Sequence, residues 1–322
     1  MFKGKSLRNN HAWYLQTGCC PEIQLNKDFT LREIPVQHIH DRFLTKSGVR
    51  LSILRLDLIH PEISGNKWFK LKHNLKLARE EGRDTLLSFG GPWSNHLHSM
   101  AYAGQYFGFS TIGLVRGELP SPLNACLQDA SNAGMELHPI TRADYKEKEK
   151  PEFLERVKKQ FSNVFLIPEG GANRAGLEGC TEITSLYPPA FDLVCVACGT
   201  GTTLAGMASA SKTPLLGFQV LKGKGYLKNQ VNTLMQQYQL SATCQWDVCD
   251  TYHCGGYAKV TNDLMRFVTE FERQHGIPLE PVYSGKMLFG LYNLIKERDF
   301  FPQNYSILAI HGGGLQGRRG FN

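Results

Sequence analysis

Nothing in this sequence gathers charge into a block: 36 Lys and Arg against 29 Asp and Glu leave +7, spread along the chain. That balance suits small anionic ligands better than nucleic acid, and no RNA-binding signature, zinc-finger spacing or Arg-rich tract is present. No apolar run approaches the length of a membrane span, and the opening MFKGKSLRNNHAWYLQ lacks the continuous apolar core of a secretion signal. A cytoplasmic protein with no membrane or nucleic-acid partner is expected. The nine cysteines are odd in number and make no disulfide framework, since Cys195 and Cys198 sit in apolar strand-like sequence where reduced thiols are common. Three positions apart on a strand, those two point to opposite faces, unlike a redox pair opening a helix. Cys244, Cys249, His253 and Cys254 match neither standard zinc pairing, so no metal is expected.

What is present is alternation. The chain of 322 residues, 42% of them hydrophobic, suffices for a large core and about two domains. Apolar residues at Trp68, Leu71, Leu75 and Ala78 recur at helical spacing after Lys67, with Gly82 as terminator. TLLSFGG then reads as a strand, SNHLHSMAYAGQYFG as a helix capped by Ser94 or Asn95, and STIGLVRG as a strand again. The pattern continues through MELHPI, NVFLIPEGG, FDLVCVACG, PLLGFQVL and YSILAIHGGG, each separated from the next by helical sequence. Strands apolar throughout and alternating with helices predict an α/β class with parallel sheets covered on both faces.

Open parallel sheets bind ligands beyond the carboxyl ends of their strands. Four such ends are rich in glycine: FGGPWSNH, PEGGANRAG, CGTGTTLAG and HGGGLQG. GTGTT, small and hydroxylated between strand and helix, reads as a phosphate cradle. It is neither a P-loop nor a dinucleotide fingerprint, and such a turn can equally serve tight packing. A phosphate cradle without nucleotide machinery suggests a cofactor carrying its own phosphate and an aldehyde, for which pyridoxal phosphate fits. Lys67 follows Gly-Asn at the first turn of a helix, where the positive end of the macrodipole and the like charge of Lys70 disfavour an ammonium. The residues alone leave Lys67 evenly readable as a nucleophilic amine or a solvated charge.

SGNKWFKL, GGPWSNH, GTGTTLAG, EPVYSGKM and IHGGG, in that order, resemble the fold-type II pyridoxal-phosphate enzymes, in particular 1-aminocyclopropane-1-carboxylate deaminase and D-cysteine desulfhydrase. The resemblance runs from about residue 50 to the C-terminus; residues 1–24 have no counterpart and read as an arm or extension. It implies a tryptophan synthase β-like fold of two open parallel-sheet α/β domains with the cofactor in the cleft. Residues 67–166 would form a small domain inserted into a large one made of 1–66 and 167–322. The resemblance makes Lys67 the Schiff-base lysine and the base that moves the α-proton. Asn95 would bind the cofactor's 3-hydroxyl, and Gly199, Thr200, Gly201, Thr202 and Thr203 its phosphate. Ser94, His96, Tyr257 and Tyr283 would face a small amino-acid substrate, with Ser94 and the tyrosines as catalytic candidates, in a protein of homodimeric type.

Ser284 stands where the deaminases carry a glutamate on the pyridine nitrogen and the desulfhydrases a threonine. A neutral hydroxyl leaves that nitrogen largely unprotonated, a weaker electron sink that suits elimination better than ring opening. Trp93 replaces the glutamine usual in both groups and would edge the substrate pocket. The expectation is therefore a lyase or deaminase that works by α,β-elimination to ammonia and a 2-oxo acid, with D-cysteine the preferred substrate. 1-Aminocyclopropane-1-carboxylate is the alternative substrate, and a non-catalytic ligand-binding relative the alternative of another class.

Overall fold

The computed structural model describes residues 29–297 and 300–321; the arm or extension expected over residues 1–24 lies outside them. Ten strands form two sheets. β1 (Val36–Ile39) and β2 (Val49–Leu54) belong to the first sheet. β3 (Thr85–Gly90), β4 (Ser110–Arg116), β5 (Met135–Ile140) and β6 (Val164–Ile167) make the second. β7 (Leu193–Cys198), β8 (Leu215–Gln219), β9 (Trp246–Cys249) and β10 (Tyr305–Ile310) return to the first. The six-stranded order is β1-β2-β10-β7-β8-β9 and the four-stranded order β5-β4-β3-β6.

Every pairing is parallel except one: β1 runs antiparallel to β2, with Val36 opposite Leu54. The alternation of apolar runs had suggested parallel strands alone. Only a short helix, Arg42–Ser47, joins β1 to β2, and a parallel return needs a crossover of a dozen or more residues. β9, whose residues are only partly buried, carries no continuous apolar run and did not stand out in the sequence.

Both sheets are covered on both faces. In β7, Val194, Val196 and Cys198 enter one core with Leu54 and Leu308, while Leu193 and Cys195 enter another with Ile53 and Ile307. The two cysteines thus face opposite ways, as strand periodicity requires. In the four-stranded sheet, Leu86, Val115 and Ile167 pack with Leu71 and Leu97 on one side, and Leu87, Phe89 and Leu114 with Phe153 on the other.

One contact sets where the first helix of the second unit begins. Gly65, at φ +66°, precedes the helix Asn66–Glu80 and lies so close to the end of β10 that an added Cβ would fall 1.9 Å from the Gly312 carbonyl oxygen. Asn66 N–H donates to that same oxygen at 3.2 Å. Glycine is required here both for the left-handed backbone and for the approach. Gly65→Ala is expected to cost roughly 2–5 kcal/mol from strain plus steric clash. Gly82→Ala, at φ +64° with nothing within 4 Å, is expected to cost only about 1–2 kcal/mol. Denaturant midpoints of the two variants measure the difference, and equal losses would remove the special role given to Gly65.

Candidate active site

The strand ends converge on a cavity of about 470 Å³. Its walls take Gly91 after β3, Arg116 at the end of β4, Gly170 after β6, Cys198 and Gly199 at the end of β7, and Ile310 and Gly312 at the end of β10. Of the residues singled out in the sequence, it brings together Lys67, Ser94, Asn95, His96, Gly199, Thr200, Gly201, Thr203, Tyr257 and Tyr283. Trp93, Thr202 and Ser284 stand outside its lining. Thr202 is fully buried and pairs its hydroxyl with that of Thr200 at 3.0 Å, a supporting position. Trp93 lines a neighbouring cavity of about 120 Å³.

Lys67 opens the helix as expected, but its neighbours define it. Its Nζ donates to Asn66 Oδ1 at 2.6 Å, and Asn66 Nδ2 donates to Thr203 Oγ1 at 2.9 Å. A turn-forming asparagine in the sequence thus proves to be the bridge between the lysine and the GTGTT loop. The amine's pKa is pushed down to about 7, first by burial and second by Lys70. Burial outranks the helix-end and like-charge effects that the sequence brought to mind. Lys70 is only 5% exposed and also lines the cavity. Burial lowers its pKa too, and the thiols of Cys180 and Cys198, not a carboxylate, are what oppose that shift.

His96 is buried, with Nε2 at 3.1 Å from Ser88 Oγ and Nδ1 without a partner. Burial, followed by Lys70 and Lys67, pushes its pKa down to about 3, so the imidazole is neutral. Ser94 caps the helix Asn95–Phe107, its Oγ accepting from Leu97 N–H at 3.2 Å. Asn95 Oδ1 accepts from Gln316 Nε2 at 2.8 Å, a contact from the far end of the chain with no signal in local sequence. The rings of Tyr257 and Tyr283 meet edge to face at 6.3 Å. Burial raises the Tyr257 phenol to about 12 and that of Tyr283 well above its ordinary value. Both are protonated donors at neutral pH.

Behind Ser284 lies a carboxylate the sequence reading missed. Glu280, 2% exposed, accepts N–H bonds from Val282 at 2.7 Å and from Tyr283 and Ser284 at 2.6 Å each. Ser284 Oγ lies 3.3 Å from Glu280 Oε1 and accepts from Glu280 N–H at 3.1 Å. Burial raises the Glu280 pKa against these donors. The available signal was an acid just ahead of the helix Ser284–Lys296, where free N–H groups collect.

Residues 32–313 match the family described as pyridoxal-phosphate dependent enzyme. The bifunctional D-cysteine desulfhydrase/1-aminocyclopropane-1-carboxylate deaminase of Arabidopsis thaliana is 30% identical over 297 residues, covering 84% of this chain and 74% of that protein. A putative 1-aminocyclopropane-1-carboxylate deaminase of Thermotoga maritima is 28% identical, covering 90% and 96%. Among solved structures, a 1-aminocyclopropane-1-carboxylate deaminase homologue superposes with a TM-score of 0.76 at 26% identity, over 93% of this chain and 96% of that one. Threonine deaminase isoform 2 of Solanum lycopersicum, at 17% identity and a TM-score of 0.60 over 88% and 80%, shares the fold.

The Lys67 amine is charged below about pH 7 and neutral above it. Uptake of pyridoxal phosphate by the cofactor-free protein, followed by visible absorption, is expected to accelerate as pH rises through about 7 and then level off. Because the pKa is lowered from 10.5, the amine's cost to the cofactor-free fold grows as pH falls from about 10.5 to 7 and is constant below. An uptake rate still climbing near pH 10 would show an ordinary solvated lysine.

Proposed function

The chain belongs to the pyridoxal-phosphate-dependent enzymes, and from that premise we propose a lyase that eliminates a β-substituent from a small amino acid, giving ammonia and a 2-oxo acid. The cavity suits the cofactor. Two buried amines, Lys67 and Lys70, share it with the hydroxyls of Thr200 and Thr203, and Lys70 has no carboxylate to offset its charge. Such a set calls for an anion. Lys67 would hold the group through its amine, and Gly199, Thr200, Gly201, Thr203 and Lys70 would take the phosphate. The helix after this loop, Thr202–Ala208, is only seven residues long, so backbone N–H groups, hydroxyls and Lys70 carry more of that load than a macrodipole.

The observation that carries the reading is a base and acids facing one cavity. When bound, pyridoxal phosphate supplies the electron sink that acidifies the substrate's Cα–H. Lys67, neutral above about pH 7, takes that proton at Nζ. Tyr283 and Tyr257, held as phenols, can protonate a departing group. Ser94 and Asn95 border the same space and would orient the substrate carboxylate and the cofactor ring, while neutral His96 lines the wall without competing for the proton. The neutral hydroxyl at Ser284 favours D-cysteine as substrate.

A second substrate, 1-aminocyclopropane-1-carboxylate, is favoured by Glu280, whose carboxylate stands one hydroxyl behind the position a deaminase glutamate would occupy. We further propose that the segment 67–166 works as a small domain against 1–66 with 167–322, and that the enzyme is a homodimer. Its buried unpaired thiols, Cys126, Cys180, Cys195 and Cys198, fit a reducing compartment such as the cytoplasm. Among the described residues no helix is long and apolar enough to cross a membrane.

Purified protein is expected to show a visible absorption band that borohydride fixes onto Lys67, and Lys67→Ala is expected to lose both. Retention of the borohydride-sensitive band in that variant would remove Lys67 from its role. Ammonia release from D-cysteine and from 1-aminocyclopropane-1-carboxylate then separates the two substrates, and a bound cofactor with no turnover of any D- or L-amino acid would favour a binding protein.

A further inference from the structure

The smaller cavity of about 120 Å³ shares Asn95, Tyr257 and Tyr283 with the main one, so it is an annex of the same site. Its other walls are mostly apolar: Trp93, Val282 and Phe321. The C-terminal turn that carries Phe321 is fixed from two sides. Arg318 pairs with Glu272 at 2.6 and 3.1 Å, and Arg319 pairs with Asp129. Gly320 lies against Trp93, where a methyl group would come within 3.1 Å of the indole. The polar groups in the wall are already engaged: Glu280 holds three backbone N–H groups and Asn95 Oδ1 holds Gln316.

Size and chemistry narrow the occupant. An apolar cavity of about 150 Å³ accepts a benzene molecule, so this annex takes a group of about three to five non-hydrogen atoms. The sulfhydryl of cysteine is a single atom and would leave most of that space unfilled. Resting on the elimination reading above, we propose that the annex is a side-chain pocket and that the preferred substrates are S-alkyl cysteines, whose thioether substituent it encloses.

The chemistry balances without an oxidant or reductant. The Cα proton passes to Lys67 Nζ, the Cβ–S bond breaks with its electron pair on sulfur, and a Cα–Cβ double bond forms. A phenol proton from Tyr283 or Tyr257 turns the thiolate into an alkanethiol. The released enamino acid tautomerises and adds water, giving a 2-oxo acid and ammonia.

The test uses the cofactor-loaded enzyme with cysteine, S-methyl-, S-ethyl- and S-propylcysteine in both enantiomers, reading 2-oxo acid and thiol release. kcat/KM is expected to rise by about fourfold for each methylene buried. Val282→Phe, which fills the annex, and Phe321→Ala, which opens it, are each expected to flatten that rise about tenfold over the series. Independently of turnover, norleucine, which cannot eliminate, is expected to raise the melting temperature of the loaded enzyme more than alanine does. Turnover of cysteine with kcat/KM flat or falling along the series overturns the pocket and leaves the lyase reading standing. Equal stabilisation by norleucine and alanine also overturns the pocket. A visible band with no elimination from any of these compounds overturns the lyase reading and the pocket with it.

Discussion

Two lysine amines, three residues apart on one helix and both depressed by burial, are the constraint around which the rest of the structure is arranged. Burying one amine without a counter-charge is costly, and burying two side by side compounds the cost. The fold does not relieve it with a nearby carboxylate: Glu280, the one acid whose charge Lys67 feels, is turned onto three backbone N–H groups. The cost is instead left for an anionic, aldehyde-bearing cofactor to offset. The same burial that makes the empty site unfavourable makes the Lys67 amine nucleophilic near neutral pH.

Keeping those amines at the meeting of two sheets takes close backbone packing. Gly65 against Gly312 joins the start of the lysine helix to the end of β10, and Asn66 ties Lys67 to Thr203 beyond β7. Each of these links reaches from the second unit's first helix to the first sheet. The C-terminal turn adds another, through Gln316 on Asn95 and Arg319 on Asp129. Catalytic geometry is therefore spread over contacts between segments more than a hundred residues apart in sequence.

Local sequence made much of this legible. The helix from Asn66 was readable from the spacing of Leu71, Leu75 and Ala78, and the strands β3, β4, β7 and β10 from apolar runs ending in glycine. β9 and the antiparallel β1 were not, because a short, half-buried edge strand carries little periodic signal and pairing direction depends on connection length. Asn66 looked like a turn residue because its partner is 137 positions away. Glu280 was hidden because its role depends on a helix start that forms only when Tyr283 and Ser284 are in place. Trp93 was noticed as a departure from the family pattern, but the wall it makes with Phe321 exists only once the C-terminal turn folds over it.

By itself the sequence determined the α/β class, the glycine-rich strand ends and the residue types able to hold a phosphate and an aldehyde, because these follow from short-range periodicity and side-chain chemistry. Tertiary structure alone decided that Lys67 is a neutral base at pH 7, that Ser284 is backed by a carboxylate and that the site opens into an apolar annex. Burial, dielectric and cavity shape are set by atoms brought together from distant parts of the chain, and no local window contains them.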